Sequence, residues 1–166
     1  MNRKTAWAAM AAVLSVLAVL VTPTPASAAV AVNRFRNYAT GQCLDYYADR
    51  GLYTTGCNSG KFQEWIWNNT PGIATPMRQE ASDWCLTVTG DYDWVPFMAP
   101  CDSSWGARQQ WYVSPSPSDG GIPFIRSVLM LGGDVAMCLS YVNNAVKMEG
   151  CGSGIPRQRW VVLKAI

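Results

Sequence analysis

The sequence contains no histidine among its 166 residues. This absence excludes the Ser-His-Asp and Cys-His arrangements that activate a catalytic nucleophile. It also removes a common zinc ligand, and no Cys-x-x-Cys pair is present to supply thiolates at zinc-site spacing. We therefore expect no metal and no cofactor.

Charged residues are also few, and the N-terminus has a defined order of basic, apolar and small residues. Arg3 and Lys4 precede an uncharged, mostly apolar stretch at 6–21, and Ala26-Ser27-Ala28 then supplies small residues. This order is typical of a secretory signal peptide. The apolar stretch has about 16 residues, fewer than the roughly 20 that a spanning helix needs, so a membrane anchor is the weaker alternative. We expect cleavage after Ala28, a secreted, extracellular protein and no membrane insertion of the remainder.

Removal of residues 1–28 leaves 11 basic and 11 acidic residues, a net charge of zero. No positive field then remains to attract nucleic acid. The remaining length suits one domain, which we place at 31–166. All six cysteines lie within it. An even number of cysteines in an exported chain favours disulfides.

Three segments repeat the same order of motifs. Each contains a Cys-Leu pair, then a second cysteine, then a Gln-x-Trp motif. Six cysteines allow 15 pairings, and equivalent repeats favour equivalent ones, the alternative being a bond that crosses between repeats. We predict three disulfides, each within a repeat: Cys43–Cys57, Cys85–Cys101 and Cys138–Cys151.

Short segments of β character lie between turn residues throughout this region. No segment keeps a helical apolar period for three turns, so we predict an all-β domain. Threefold repetition narrows it to a β-trefoil with pseudo-threefold symmetry. We place strands at 34–38, 52–54, 65–67, 111–113 and 160–163. The repeats cover approximately 33–69, 75–114 and 122–166.

The Gln-x-Trp motifs have a structural interpretation. We predict that the three tryptophans fill the core near the pseudo-threefold axis, with partners for their indole N–H groups. A glutamine two residues earlier is suited to brace the backbone of its own repeat. The core set is Trp65, Trp111, Trp160, Gln109 and Gln158. We separate Gln63 from it as a candidate ligand contact.

The threefold Cys-Leu-x … Cys … Gln-x-Trp pattern, with Asp45 at the third position of the first repeat, resembles the ricin B-type lectin family over nearly all of 33–166. The resemblance implies a β-trefoil and, for most members, sugar binding. The first repeat further resembles the actinohivin-type mannose-binding lectins of that family, without a gap from Asp45 to Trp65. That resemblance implies mannose-type glycans as partners and five residues around a sugar: Asp45, Tyr53, Asn58, Phe62 and Gln63. Phe62 stands where tyrosine is usual.

These residue types suit a sugar chemically. A carboxylate such as Asp45 accepts charge-assisted hydrogen bonds from vicinal hydroxyls. Asn58 both donates and accepts, and Tyr53 offers a packing face with one polar end. Two of them also have an ordinary role, Asp45 as a turn-capping carboxylate and Tyr53 as a strand aromatic. Because they occur together at matching spacing, we predict a sugar site.

The other repeats depart from this pattern. Thr87 and Ser140 replace the aspartate. The third repeat also has Lys147 and Gly152 in place of the aromatic residue and the asparagine. We expect no sugar site in the third repeat and leave the second open.

Two other functions compete with sugar binding. A glycosidase needs two facing carboxylates. The pairs Asp45/Asp49 and Asp91/Asp93 lie in or near predicted turns, where a solvated aspartate is the ordinary interpretation, so we predict no enzyme. The other alternative is a protein-binding β-trefoil, such as a protease inhibitor or docking module, with degenerate sugar sites. Its candidate exposed aromatics are Tyr46, Tyr47, Trp84, Trp94 and Trp105.

Overall fold

The computed structural model describes residues 30–90, 94–115, 120–131 and 133–165. The predicted signal peptide at 1–28 and the Asp91/Asp93 pair lie outside these ranges. The described chain forms twelve strands joined by turns and short 3₁₀ segments. This part of the chain has no helix of the length and apolar character needed to cross a membrane.

Each third of the chain contributes four strands. The first unit contains β1 (Ala31–Asn37), β2 (Cys43–Tyr47), β3 (Gly51–Thr55) and β4 (Trp65–Trp67). The second contains β5 (Arg78–Gln79), β6 (Trp84–Val88), β7 (Pro96–Pro100) and β8 (Trp111–Pro115). The third contains β9 (Pro123–Leu131), β10 (Val135–Val142), β11 (Ala145–Gly150) and β12 (Trp160–Lys164).

The strands pair in the same way in each unit. The second and third strands form an antiparallel hairpin, namely β2/β3, β6/β7 and β10/β11. β1 also pairs with β4 inside the first unit. Three further pairs of the described strands connect the units: β1 with β12, β4 with β5, and β8 with β9. A bridge from Thr75 to Trp111 joins the start of the second unit to β8. This arrangement confirms the predicted β-trefoil.

The three disulfides are those that the repeat predicts. Cys43 bonds to Cys57, and the other two bonds are Cys85–Cys101 and Cys138–Cys151. Each joins the start of a hairpin to the segment that precedes the Gln-x-Trp motif. In the chain-entropy model, closing a loop of this length stabilises a domain by about 3 kcal/mol.

The core is built around the three repeated tryptophans, each fully buried. Every indole Nε1 donates a hydrogen bond to the carbonyl oxygen of the leucine that follows the first cysteine of its own repeat. The pairs are Trp65–Leu44 at 3.2 Å, Trp111–Leu86 at 2.8 Å and Trp160–Leu139 at 2.9 Å. The ring faces and the indole N–H groups of the three tryptophans both contact the protein, so neither is available to a ligand.

The β2/β3 hairpin turns tightly because a glycine stands where the chain needs a positive φ. Gly51 has φ of +72°, a value that glycine adopts at little cost. The amide of Arg50 donates to the carbonyl oxygen of Tyr47 at 3.0 Å and closes the turn. This turn fixes the register in which Asp45 lies opposite Tyr53 and Tyr47 opposite Gly51.

Candidate functional site

Asp45 and Tyr53 form the centre of the site. They are directly opposed across β2 and β3, so their side chains share one face of the hairpin. Asp45 is only 4% exposed. Its Oδ2 accepts a hydrogen bond from Gln63 Nε2 at 3.0 Å, whereas its Oδ1 is buried without a partner in the described chain. An unpartnered buried carboxylate oxygen is costly, and it marks a place where a donor is missing.

Gln63 lies beneath the carboxylate and positions it. Its Nε2 donates to Asp45 and to the carbonyl oxygen of Gly56, each at 3.0 Å, and its Oε1 accepts from the amide of Asn58 at 2.9 Å. The side chain is fully buried. The sequence predicted Gln63 as a sugar contact. In the structure its amide is instead committed to the protein, because it must hold both Asp45 and the loop that follows Cys57.

Asn58 stands at the rim of the site. Its Oδ1 accepts from the amide of Gly60 at 2.7 Å, which leaves the side-chain NH₂ without a partner among the residues described. Its carbonyl oxygen accepts from Arg34 Nη1 at 2.6 Å. Arg34 is buried, so it fixes the loop from below. Asn58 therefore presents a donor on a loop that Gln63 ties to Asp45, since Gln63 bonds to both residues.

The pKa of the Tyr53 phenol is raised above its ordinary value, first by partial burial, then by the negative charge of Asp45, and also by the approach of its hydroxyl to that carboxylate, which stays longer than a hydrogen bond. Arg50, whose guanidinium lies 5.9 Å from the centroid of the Tyr53 ring, opposes the shift. Tyr53 is thus a neutral O–H group throughout the physiological pH range. It offers a hydroxyl and a ring face next to the carboxylate.

Phe62 is the aromatic residue of the predicted site, and it has a neighbour that the sequence interpretation missed. Its ring stacks on that of Tyr47, with centroids 4.1 Å apart and planes at 30°. Both rings are partly exposed. We had assigned Tyr47 to a protein-binding surface. Since side chains two residues apart in a strand share a face, its position after Asp45 was the available signal.

The second repeat has a partnered hydroxyl, and no carboxylate, at the position equivalent to Asp45. Thr87 Oγ1 accepts from Gln109 Nε2 at 3.0 Å and donates to the carbonyl oxygen of Cys85 at 2.9 Å. Asp102 Oδ1 accepts from the amide of Ser104 at 2.8 Å, and this bond lowers the pKa of Asp102. The frame of the first repeat is therefore present, but the threonine hydroxyl is satisfied where Asp45 is not.

In the third repeat the protein's own side chains fill the site. Ser140 donates to Glu149 Oε2 at 2.5 Å. Arg157 donates to both carboxylate oxygens of Glu149, at 2.8 and 3.3 Å. Lys147 lies opposite Ser140, and Gly152 has no side chain where Asn58 stands. Both oxygens of the Glu149 carboxylate thus accept from internal donors.

The remaining predicted residues lie elsewhere. Asp49 is exposed in the hairpin turn, whereas Asp45 is buried. Of the aromatic residues assigned to a protein-binding surface, Tyr46 and Trp94 are buried, which corrects that assignment. Trp84 is 39% exposed and stacks on Tyr46 with centroids 6.2 Å apart. The side chain of Trp105 lies outside what the structure describes.

A separate cavity of about 400 Å³ lies between the first and second units. Its lining includes Trp67, Pro76 and the Cys85–Cys101 disulfide. None of the predicted sugar-site residues borders it. It is mostly apolar and belongs to the packing between units.

No protein-family model and no curated protein matches the sequence. The structure does resemble solved proteins. It is similar to an endo-β-galactosidase from Clostridium perfringens that releases GlcNAcα1-4Gal (TM-score 0.66, 12% identity), over 81% of this chain but only 32% of that one. It also resembles SeviL bound to asialo-GM1 saccharide (TM-score 0.63, 16% identity), over 83% of this chain and 100% of that one.

A third similar structure is the β-trefoil lectin of the Vibrio vulnificus hemolysin/cytolysin with N-acetyl-D-lactosamine bound. The TM-score is 0.58 and the identity 20%, over 82% of this chain and 96% of that one. The chain has a β-trefoil fold. At these identities the likeness establishes the fold alone, since one fold hosts many functions.

Proposed function

We propose that this chain is a secreted, non-catalytic lectin that binds one sugar through its first repeat. The observation that carries the proposal is the unpartnered Oδ1 of Asp45, a buried anionic acceptor beside the Tyr53 hydroxyl and the Asn58 NH₂ group. A sugar supplies the missing donors as vicinal hydroxyls. Its apolar C–H face packs against the ring of Tyr53, which lies directly opposite Asp45.

The three repeats differ in the one atom that this chemistry requires. Asp45 has a free buried oxygen, whereas Thr87 and Glu149 are satisfied internally. A single site implies weak binding. A millimolar dissociation constant corresponds to about −4 kcal/mol, and one site forgoes the avidity that three would provide.

Two further observations support the proposed class of ligand. Two of the similar structures hold saccharides, which favours a sugar over other hydroxyl-rich ligands. The resemblance of Asp45, Tyr53 and Asn58 to the actinohivin-type pattern favours mannose-type glycans. We therefore propose mannose-type glycans as the first ligands to test.

Separate observations support secretion and the lack of catalysis. Three disulfides persist in oxidising compartments, and the N-terminal pattern is that of a signal peptide. For catalysis, the sequence offers no histidine. The pair Asp45/Asp49 joins a buried carboxylate to an exposed turn residue, which is unlike the facing carboxylates of a glycosidase.

Retention on a mannan column tests the site directly. Asp45→Asn keeps an oxygen to accept from Gln63 but places an amide NH₂ where Oδ1 was, so the acceptor becomes a donor. We expect this variant to lose retention and to keep its fold by circular dichroism. Asp49→Asn removes the same charge from an exposed turn position and should be retained like wild type. Equal retention of both variants contradicts the proposed site.

A protein-binding module is the second candidate function, and the exposed ring of Trp84 favours it. Exposed aromatic residues are common anchors of interfaces. A broad glycan array separates the two functions. Wild-type protein that binds no glycan on the array would exclude the lectin and favour a protein partner.

A further inference from the structure

The stacked rings of Tyr47 and Phe62 lie directly beside the acceptor of Asp45. Tyr47 follows Asp45 by two residues on β2, which places the side chains on one face about 7 Å apart. Phe62 directly precedes Gln63, the residue that hydrogen-bonds to Asp45. The aromatic pair and the buried carboxylate therefore form one continuous surface.

This aromatic surface is open and held in place. Gly51 lies opposite Tyr47 in the hairpin, and a Cβ atom built on it would meet nothing within 4 Å. Tyr47 remains 44% exposed and Phe62 36% exposed although each ring covers the other. Gln79 Nε2 donates to the carbonyl oxygen of Phe62 and anchors its backbone. Rigid aromatic side chains of this kind supply contact area at a low cost in conformational entropy.

The charges at the rim decide between neutral and charged ligands. Lys61, next to Phe62, forms an ion pair with Glu80 at 2.9 Å. Glu80 offsets the charge of the lysine. Arg50 lies on the Tyr53 side of the hairpin rather than beside Phe62. The negative charge of Asp45 repels an anion, so this edge does not favour an anionic sugar. An uncharged pyranose fits both requirements, because its C–H face packs on the rings while its hydroxyls stay in water.

The separation of about 7 Å along β2 between the Asp45 and Tyr47 side chains leaves room for a second ring beside a sugar held by Asp45. We infer that Tyr47 and Phe62 form a second subsite, which binds the neutral pyranose next to the one held by Asp45. The ligand is then an oligosaccharide of at least two sugars. This inference rests on the proposed sugar site. Without a sugar bound at Asp45, the aromatic surface of Tyr47 and Phe62 would have no neighbouring ring to bind.

Calorimetric titration with methyl α-mannoside and with a mannose disaccharide tests the second subsite. Wild type should bind the disaccharide about tenfold more tightly, the gain expected from one aromatic stacking contact together with the area that it buries. Tyr47→Ala should abolish most of this preference and leave monosaccharide affinity within about twofold. Tyr47→Phe should keep the preference, because the stacking face matters rather than the hydroxyl.

Tyr38→Ala is the matched control, since Tyr38 is an exposed aromatic residue on another strand connection and should change neither affinity. Equal affinity of wild type for both sugars, or an equal loss of both in Tyr47→Ala, overturns the second subsite and leaves the lectin function standing. Wild type that binds neither sugar overturns the subsite and the mannose-type specificity together. The glycan array then decides the lectin function separately.

Discussion

At the residue scale, a buried carboxylate oxygen without a partner distinguishes the first repeat from the other two in the described chain. All three glutamines of the Gln-x-Trp motifs hold the segment around the second cysteine in the same way. Gln63, Gln109 and Gln158 each accept from the amide that follows this cysteine, and each donates to the carbonyl oxygen that precedes it. The repeated motif therefore builds the frame. The function that we propose depends on what stands at position 45.

This division predicts different effects for equivalent glutamine substitutions. Gln109→Ala removes three hydrogen bonds in a buried frame and should lower the free energy of unfolding by about 2–3 kcal/mol. It should leave sugar binding unchanged. Gln63→Ala should cost similar stability and also abolish binding, because Asp45 loses its support. Urea unfolding and mannan retention measure the two effects, and loss of retention in Gln109→Ala would contradict the assignment.

The ion pair of Glu149 with Arg157 predicts that the stability of the protein depends on pH. Its hydrogen bond with Arg157 lowers the pKa of this carboxyl below its ordinary value of 4.5. The stabilisation is therefore present above pH 4.5 and is lost as the pH falls through the lowered pKa. Because both side chains are partly exposed, solvent screening limits it to roughly 0.5–1 kcal/mol.

Urea unfolding of wild type and Glu149→Gln at pH 6 and pH 3 checks this dependence. Wild type should be the more stable protein at pH 6, and the difference should shrink at pH 3. A difference that stays constant, or that grows in acid, would show that the ion pair does not form. Sugar binding should be unaffected by Glu149→Gln at pH 6.

At the element scale, the strands and disulfides follow from the sequence because they repeat. The predicted segments 52–54 and 111–113 lie within β3 and β8, and the three cysteine pairings are those observed. The hydrogen-bond partners of the side chains inside each site could not be predicted from the repeat in the same way. Glu149 fills the third site because of its position on β11 and its reach to Ser140, which depend on hairpin register and side-chain direction rather than on motif spacing.

The disulfides also differ in whether their hairpin contributes to the proposed sugar site. Replacing both cysteines of Cys138–Cys151 with alanine should lower the free energy of unfolding by about 3 kcal/mol and leave sugar binding intact. The same change at Cys43–Cys57 should cost similar stability and also weaken binding, because Cys57 precedes Asn58 and its loop. Thermal unfolding and calorimetric titration at 10 °C distinguish the two variants. Equal binding by both would place the site outside the first repeat.

At the scale of the whole molecule, the symmetry is structural and the proposed function is not symmetric. Three equivalent units close one barrel around the shared core of Trp65, Trp111 and Trp160. The fold was predictable because threefold repetition restricts the architecture. The number of binding sites was harder to predict, since the second repeat keeps its Gln109 frame but has Thr87, Phe97 and Asp102 where the first has Asp45, Tyr53 and Asn58.

The most direct test counts the sites. Calorimetric titration of the wild-type protein with a mannose disaccharide should give one site per chain, and Asp45→Asn should abolish the heat of binding while Asp49→Asn keeps it. Two or three equivalent sites per chain, or binding that survives in Asp45→Asn, would contradict the assignment of sugar binding to the free oxygen of Asp45.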